Sequence, residues 1–430
     1  MAVDRVTRVI KASRWAVAAL LVAVLVSLAG IVGFSLGEDR GGDAQVPAAT
    51  DGRRQATAPG DRPDFSILDQ IYDVLRRDFV DQNALDDPEV LRQGAIDGII
   101  SALGDPHTVY IDPESYELGT DIISGTYQGI GAQVAQDPTT NEIVIVTPFT
   151  DSPAEEAGIR PGDAIVAVDG ESTEGWSVSQ AVRRIRGRPG TDVALTVRHA
   201  NGDVEDVTIT RDVIVVQTVY TDPPLGVFED ASGNPVEDLA YIRIEQFTDQ
   251  TPRALRSLLQ QVVDQGHRGL ILDLRLNPGG GLSATVEVAD LFLDGGVVLM
   301  QVNRDGSERV FEATAGGPAT DMPVVVLVGP GSASGAEVLA AALRDNGRAT
   351  LIGETTFGKG TVNNLRELRD GGALFVSIAR WLTPSGEQIE GVGVIPDIPV
   401  ELTDEAIDSG QDVVLYEAID FLRQKVQTSP

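Results

Sequence analysis

Two uninterrupted apolar runs constrain this chain most: Gly269-Leu270-Ile271-Leu272-Asp273-Leu274 and Val324-Val325-Val326-Leu327-Val328, each followed by a helical pattern. A strand apolar at nearly every position must be covered on both faces, and such strands alternating with helices predict an α/β core around a parallel sheet. A different texture precedes it. From about Thr126 to Val213 short runs (Ile143–Val146, Ala164–Val168, Val193–Val197) are separated by Gly and Pro turns, which predicts a β-rich insertion. Earlier still, Ile67, Ile71, Leu75 and Phe79 recur at helical spacing, and the pattern repeats from Val90 to Ile100 before Gly104-Asp105-Pro106 stops it. The segment from Asp404 to Val426 predicts a closing helix.

The N-terminus predicts location. Arg5, Arg8, Lys11 and Arg14 precede an uncharged stretch from Trp15 to Leu36, which spans roughly 33 Å as a helix and so is long enough to cross a bilayer. Basic residues before it and Glu38, Asp39 and Asp43 after it place the N-terminus in the cytoplasm and the rest outside. A cleaved secretory signal would have a shorter apolar region, of about 7–15 residues, and a small-residue cleavage site. The expectation is therefore a single-pass cell-membrane anchor with the remaining chain extracytoplasmic. Gly37 to about Pro63 lacks large apolar residues and predicts a flexible tether.

Composition excludes several functions. Acidic residues outnumber basic ones 65 to 33, for a formal charge of -32, which argues against nucleic acid, and no basic patch beyond the N-terminus compensates. Cysteine is absent, which removes disulfides, thiolate chemistry and Cys-based metal sites. No His-Glu-x-x-His pattern occurs, and neither metal nor cofactor is predicted.

Ser334 is the candidate nucleophile. It follows a strand ending at Val328 and the turn Gly329-Pro330-Gly331-Ser332-Ala333, and it precedes the helical run Ala336–Arg344. Strand, turn and helix put its hydroxyl at a helix N-terminus, where free N–H groups favour negative charge and Gly335 N–H is a natural oxyanion donor. Ser334 with Glu337 is equally a Ser-x-x-Glu capping box, which needs no catalysis. The candidate base is Lys359. Only three of 33 cationic residues are lysines, Lys11, Lys359 and Lys425, and Lys359 sits in Phe357-Gly358-Lys359-Gly360. Arg stays charged in proteins, whereas a desolvated Lys can act as a general base; plain anion binding by Lys359 is the competing reading. His107, His199 and His267 read as turn or surface residues.

Between Tyr127 and Arg211 the order of features resembles a PDZ domain: Tyr127-Gln128-Gly129-Ile130-Gly131-Ala132 as the carboxylate-binding loop, Ser152–Ile159 as a short helix, and Arg160-Pro161-Gly162-Asp163 as the turn into the next strand. Glycines let consecutive N–H groups converge on a carboxylate, so Gly129, Ile130 and Gly131 are the candidate substrate-binding residues. The catalytic segments resemble the carboxyl-terminal processing peptidases, or tail-specific proteases. Gly331-Ser332-Ala333-Ser334-Gly335-Ala336-Glu337 is similar to their nucleophile segment and Gly353–Gly360 to their lysine segment, Lys359 lying 25 positions after Ser334. Asp273-Leu274-Arg275-Leu276-Asn277-Pro278-Gly279-Gly280 matches a further motif, as do Thr383–Gly386 and Gly391–Asp397, in order from about Phe65 to Val400.

The resemblance implies a crotonase/Clp-like spiral α/β protease core with an inserted PDZ domain, a small N-terminal helical segment and a Ser-Lys dyad. It also implies endoproteolysis near exposed protein C-termini, with Gly280 joining Gly335 in the oxyanion hole. Four residues after the lysine the family has Gln, which orients it; here the position is Asn363, one methylene shorter. The expected divisions are a cytoplasmic segment 1–14, an anchor 15–36, a linker 37–63, a helical segment 64–118, a PDZ domain 119–213, a peptidase core 214–402 and a C-terminal helix 403–430. The expected partners are unfolded or C-terminally exposed proteins and peptides and the membrane, with no nucleic acid and a homo-oligomer left open. An inactive PDZ-based scaffold and a hydrolase of non-peptide acyl groups are the alternatives.

Overall fold

The computed structural model describes residues 63–428 except 114, 117–124, 224–227, 404, 405, 407 and 408. The anchor and tether expected in 15–63 therefore lie almost wholly outside the described residues. Among the described residues no helix is long and apolar enough to cross a membrane. Two compact units meet in the chain at Pro106 and His107. The first carries helices α1 (Ser66–Asp78) and α2 (Pro88–Ser101). Pro88 occupies the first turn of α2, where its missing N–H costs nothing, and the Asp87 side chain caps it by accepting from Glu89 N–H.

The second unit is mixed α/β. Its first strand, β1 (Val109–Ile111), belongs to a sheet described below. A β-rich insertion follows, entered by β2 (Thr126–Gly129) and left by β9 (Asp212–Val215), which pair antiparallel. Within it β3 (Ala132–Gln136), β4 (Ile143–Pro148), β5 (Ala164–Val168), β7 (Asp192–Arg198) and β8 (Val204–Thr210) form one antiparallel sheet in that order, with β6 (Glu171–Ser172) on β5. Helices α3 (Pro153–Glu156) and α4 (Val178–Ile185) complete a core built on Ile130, Ile143, Ile145, Ile165, Ala181 and Leu195. In this sheet β3 is an edge strand, and α4 packs beside it.

The remaining chain forms two sheets. One runs β10 (Val219–Tyr220), β11 (Ala240–Ile244), β12 (Leu270–Asp273), β15 (Val324–Val328), β16 (Ala349–Gly353) and β19 (Ile398–Pro399); from β11 onward every pairing is parallel. The two apolar runs are its central strands, and alternate residues face opposite layers. Leu270, Leu272, Val324, Val326 and Val328 pack with α5 (Thr251–Asp264), α6 (Leu282–Ala289) and α7 (Gly335–Asp345). Ile271, Val325 and Leu327 pack with α8 (Val413–Thr428). The second sheet is antiparallel: β1, β18 (Ala373–Leu382), β13 (Val297–Asn303) and β14 (Glu308–Glu312), with β17 (Thr361–Glu367) also on β18.

Candidate active site

The turn between β15 and α7 is tied down before Ser334 is reached. Ser332 is buried and its hydroxyl donates to Leu274 O, while Ala333 N–H donates to Asn277 O. Asn277, wholly buried, also donates from Nδ2 to Ile244 O and accepts from Gly279 N–H. The loop after β12 is thereby stitched to the loop after β15. Ser334 itself has φ +52° and ψ −114°, a conformation that side chains with a Cβ avoid. Strain of this kind costs about 1–3 kcal/mol and persists only where surrounding bonds over-determine the backbone. A serine on a strained strand-to-helix turn exposes its hydroxyl above the sheet's C-terminal edge.

The glycines beside it leave room for nothing larger. A Cβ on Gly279, at φ +104°, would lie 2.8 Å from Ser334 Cβ, and one on Gly280, at φ +147°, would lie 2.1 Å from Phe247 O. Gly280 bridges Phe247 through bonds from Phe247 N–H to Gly279 O and from Gly281 N–H to Phe247 O, a pattern that does not use the Gly280 N–H. Gly335 is the first residue of α7, so its N–H has no intrahelical acceptor. The two amides are neighbours: a Cβ on Gly335 would sit 3.5 Å from Gly280 N.

Lys359 is 2% exposed, with Nζ over the Phe375 ring at 5.2 Å from its centroid. Its carbonyl accepts from Trp381 Nε1–H at 3.0 Å and its N–H donates to Glu337 Oε2 at 2.9 Å. Glu337 is the residue that sequence reasoning undervalued. It accepts from Ser334 N–H, as a capping box requires, but also from Lys359 N–H, Gly358 N–H and the Thr356 hydroxyl. Burial pushes its carboxyl above the usual Glu range, and these four donors oppose that shift. One buried carboxylate therefore ties the serine turn to the lysine turn. The available signal was a lone acid in an otherwise small and apolar helical run, Gly335 to Leu343.

A small cavity of about 40 Å³, room for a few waters, is lined by Gly280, Ser334, Gly335, Lys359 and Asn363 together with Leu299, Val338 and Trp381. All five residues expected in the catalytic constellation thus meet in one place. Asn363 is buried there; its Nδ2 donates to His107 O at 2.8 Å and to Ser377 Oγ at 3.1 Å, and its Oδ1 accepts from the Thr361 hydroxyl. His107 is accordingly no surface residue. It lies in a turn, as expected, but burial to 9% and a 2.9 Å contact from Nε2 to Glu390 Oε1 place it against the lysine turn, which corrects the surface half of the sequence expectation.

Gly129, Ile130 and Gly131 do not line this cavity. They form the buried β2–β3 turn of the insertion, where Ile130 O accepts from Ala154 N–H and a Cβ on Gly131 would meet Ser152 Cβ at 2.4 Å. Among the described residues no cluster of three or more His, Asp or Glu side chains could hold a metal ion.

Behind the site lies a buried ionic network. Arg275 bonds Asp273 and both carboxylate oxygens of Asp412, and the Tyr241 hydroxyl donates to Asp273. Burial alone would raise the Asp273 carboxyl, but the adjacent Arg275 guanidinium holds it below the usual range.

The family described as peptidase family S41 matches residues 238–400, PDZ domain matches 144–199, and Activating protease CtpB N-terminal domain matches 33–115. The chain is 39% identical over 343 residues to the carboxy-terminal processing protease CtpA of Bacillus subtilis, covering 80% of this chain and 70% of that one. It is 39% identical over 332 residues to the carboxyl-terminal-processing protease of a Synechocystis species, covering 76% of each. Among solved structures it is similar to the photosystem II D1 C-terminal processing protease, at 29% identity and a TM-score of 0.44, over 78% of this chain and 87% of that one.

Proposed function

This chain belongs to the carboxyl-terminal processing proteases of peptidase family S41, serine-type peptidases with a PDZ domain, and we propose that it works by a Ser-Lys dyad of Ser334 and Lys359. The observation that carries this is the strained serine turn opening onto the same cavity as a buried lysine. Ser334 Oγ attacks the scissile carbonyl carbon as its proton passes to the neutral amine of Lys359. The N–H groups of Gly335 and Gly280 hold the oxyanion. Lys359 then protonates the leaving amine, and water, deprotonated by the same amine, releases the acyl group from Ser334. Asn363 contributes by fixing the strand that follows the lysine.

In this reading the PDZ domain receives the substrate. An exposed or unfolded C-terminal segment adds to the β3 edge alongside α4, with its carboxylate directed to the amides at 129–131. Residues 15–36 anchor the chain in the cell membrane with the catalytic part outside, and the core is of the crotonase/Clp-like spiral type. Purified protein incubated with a denatured protein and with short peptides tests the proposal by mass spectrometry. Peptide-bond cleavage lost in Ser334→Ala is expected. Binding without cleavage, or hydrolysis of simple esters alone, would overturn it.

A further inference from the structure

Lys359 stands between Gly358 and Gly360, two residues with the least backbone preference of their own. The glycines are required by a close approach: a Cβ on Gly358 would lie 2.9 Å from Gly393 N and one on Gly360 2.8 Å from Glu390 N. A Gly-Lys-Gly turn cannot by itself fix where a long, four-carbon amine ends, so its position must be imposed by neighbours. Glu337 and Trp381 hold the Lys359 peptide itself.

A second set of contacts holds the residues that flank it. Glu390 Oε2 accepts from Gly360 N–H at 2.7 Å, and Glu390 Oε1 faces His107 Nε2 at 2.9 Å. His107 in turn accepts at its carbonyl from Asn363 Nδ2, and its ring centroid lies 6.4 Å from that of Phe357. One histidine thus reaches residues two before and four after the lysine, and its carboxylate partner holds the residue immediately following. The pair is 283 positions apart in the chain.

We infer that His107 and Glu390 are positioning residues that clamp the turn carrying Lys359 and set where its amine stands, an inference that rests on Lys359 acting as the general base. Displacing a base by about 1 Å can cost on the order of 100-fold in the chemical step while substrate affinity is spared. The test is steady-state cleavage of a peptide by the full chain carrying His107→Ala, His107→Gln, Glu390→Ala, Glu390→Gln or Lys359→Arg. His107→Ala and Glu390→Ala are expected to lower kcat about 10- to 100-fold with KM within about twofold of wild type. His107→Gln, whose Nε2–H reaches the same acceptor, is expected to recover most of the loss. Glu390→Gln keeps one acceptor oxygen of two and should fall between; it carries the test if the alanine variants do not fold. Wild-type kcat in the folded His107 and Glu390 variants, alongside an inactive Lys359→Arg, would remove the clamp and leave the base reading standing. Full activity in Lys359→Arg would overturn both.

Discussion

Ser334 holds a backbone conformation its own Cβ opposes, and the neighbours that impose it are polar groups with few alternatives. The turn is held through Ser332 and Asn277, and the Ser334 N–H is held by Glu337. Glu337→Gln retains size but replaces one accepting oxygen with an NH₂ group facing two donors. It should cost about 1–3 kcal/mol in denaturant unfolding, the penalty for leaving a buried donor unpaired, and should lower kcat. An unfolding midpoint equal to wild type would show that the carboxylate does not bind the two turns together. Lys359→Arg asks a different question at the same scale. Arginine keeps the cation but cannot supply a free base, so turnover should fall by about a thousandfold or more, measured on peptide cleavage at saturating substrate. Retained turnover would assign Lys359 to anion binding instead.

The inserted sheet has its own chemistry at the level of elements. His199 on the β7–β8 hairpin meets Asp163 through Nδ1 at 2.9 Å and Glu205 through Nε2 at 3.2 Å. Hydrogen bonding to Asp163, then to Glu205, raises the His199 pKa above 6.5. A raised histidine stabilises the fold fully below its unfolded value, and that stability is lost as pH climbs through the folded value. Thermal melts should therefore show the contribution below pH 6.5 and its loss as pH rises beyond that, and His199→Ala should remove that difference. The β3 edge yields a second expectation. Peptides with a free C-terminal carboxylate should bind more tightly than their amides in fluorescence titrations, and equal affinities would take the β2–β3 turn out of substrate recognition.

Across the whole molecule, the Asp273, Arg275 and Asp412 network joins the loop bearing Gly280 to the N-terminus of α8, where Asp412 Oδ1 also accepts from Leu415 N–H. Arg275→Met would leave two buried carboxylates without their cation. A loss of about 3–5 kcal/mol is expected in chemical denaturation, and an unchanged midpoint would show that the network does not pin the two ends. Much of the fold is legible in sequence because strand and helix periodicities, glycine turns and caps are local properties. They mark β12 and β15 as doubly covered strands and put Ser334 at a helix start and Lys359 in a glycine turn. Other features had no local signature. The positive φ of Ser334, the four donors converging on Glu337 and the pairing of His107 with Glu390 were decided only by tertiary structure. A buried polar group must be satisfied by whatever the fold brings next to it, and those partners lie up to 283 residues away in the chain.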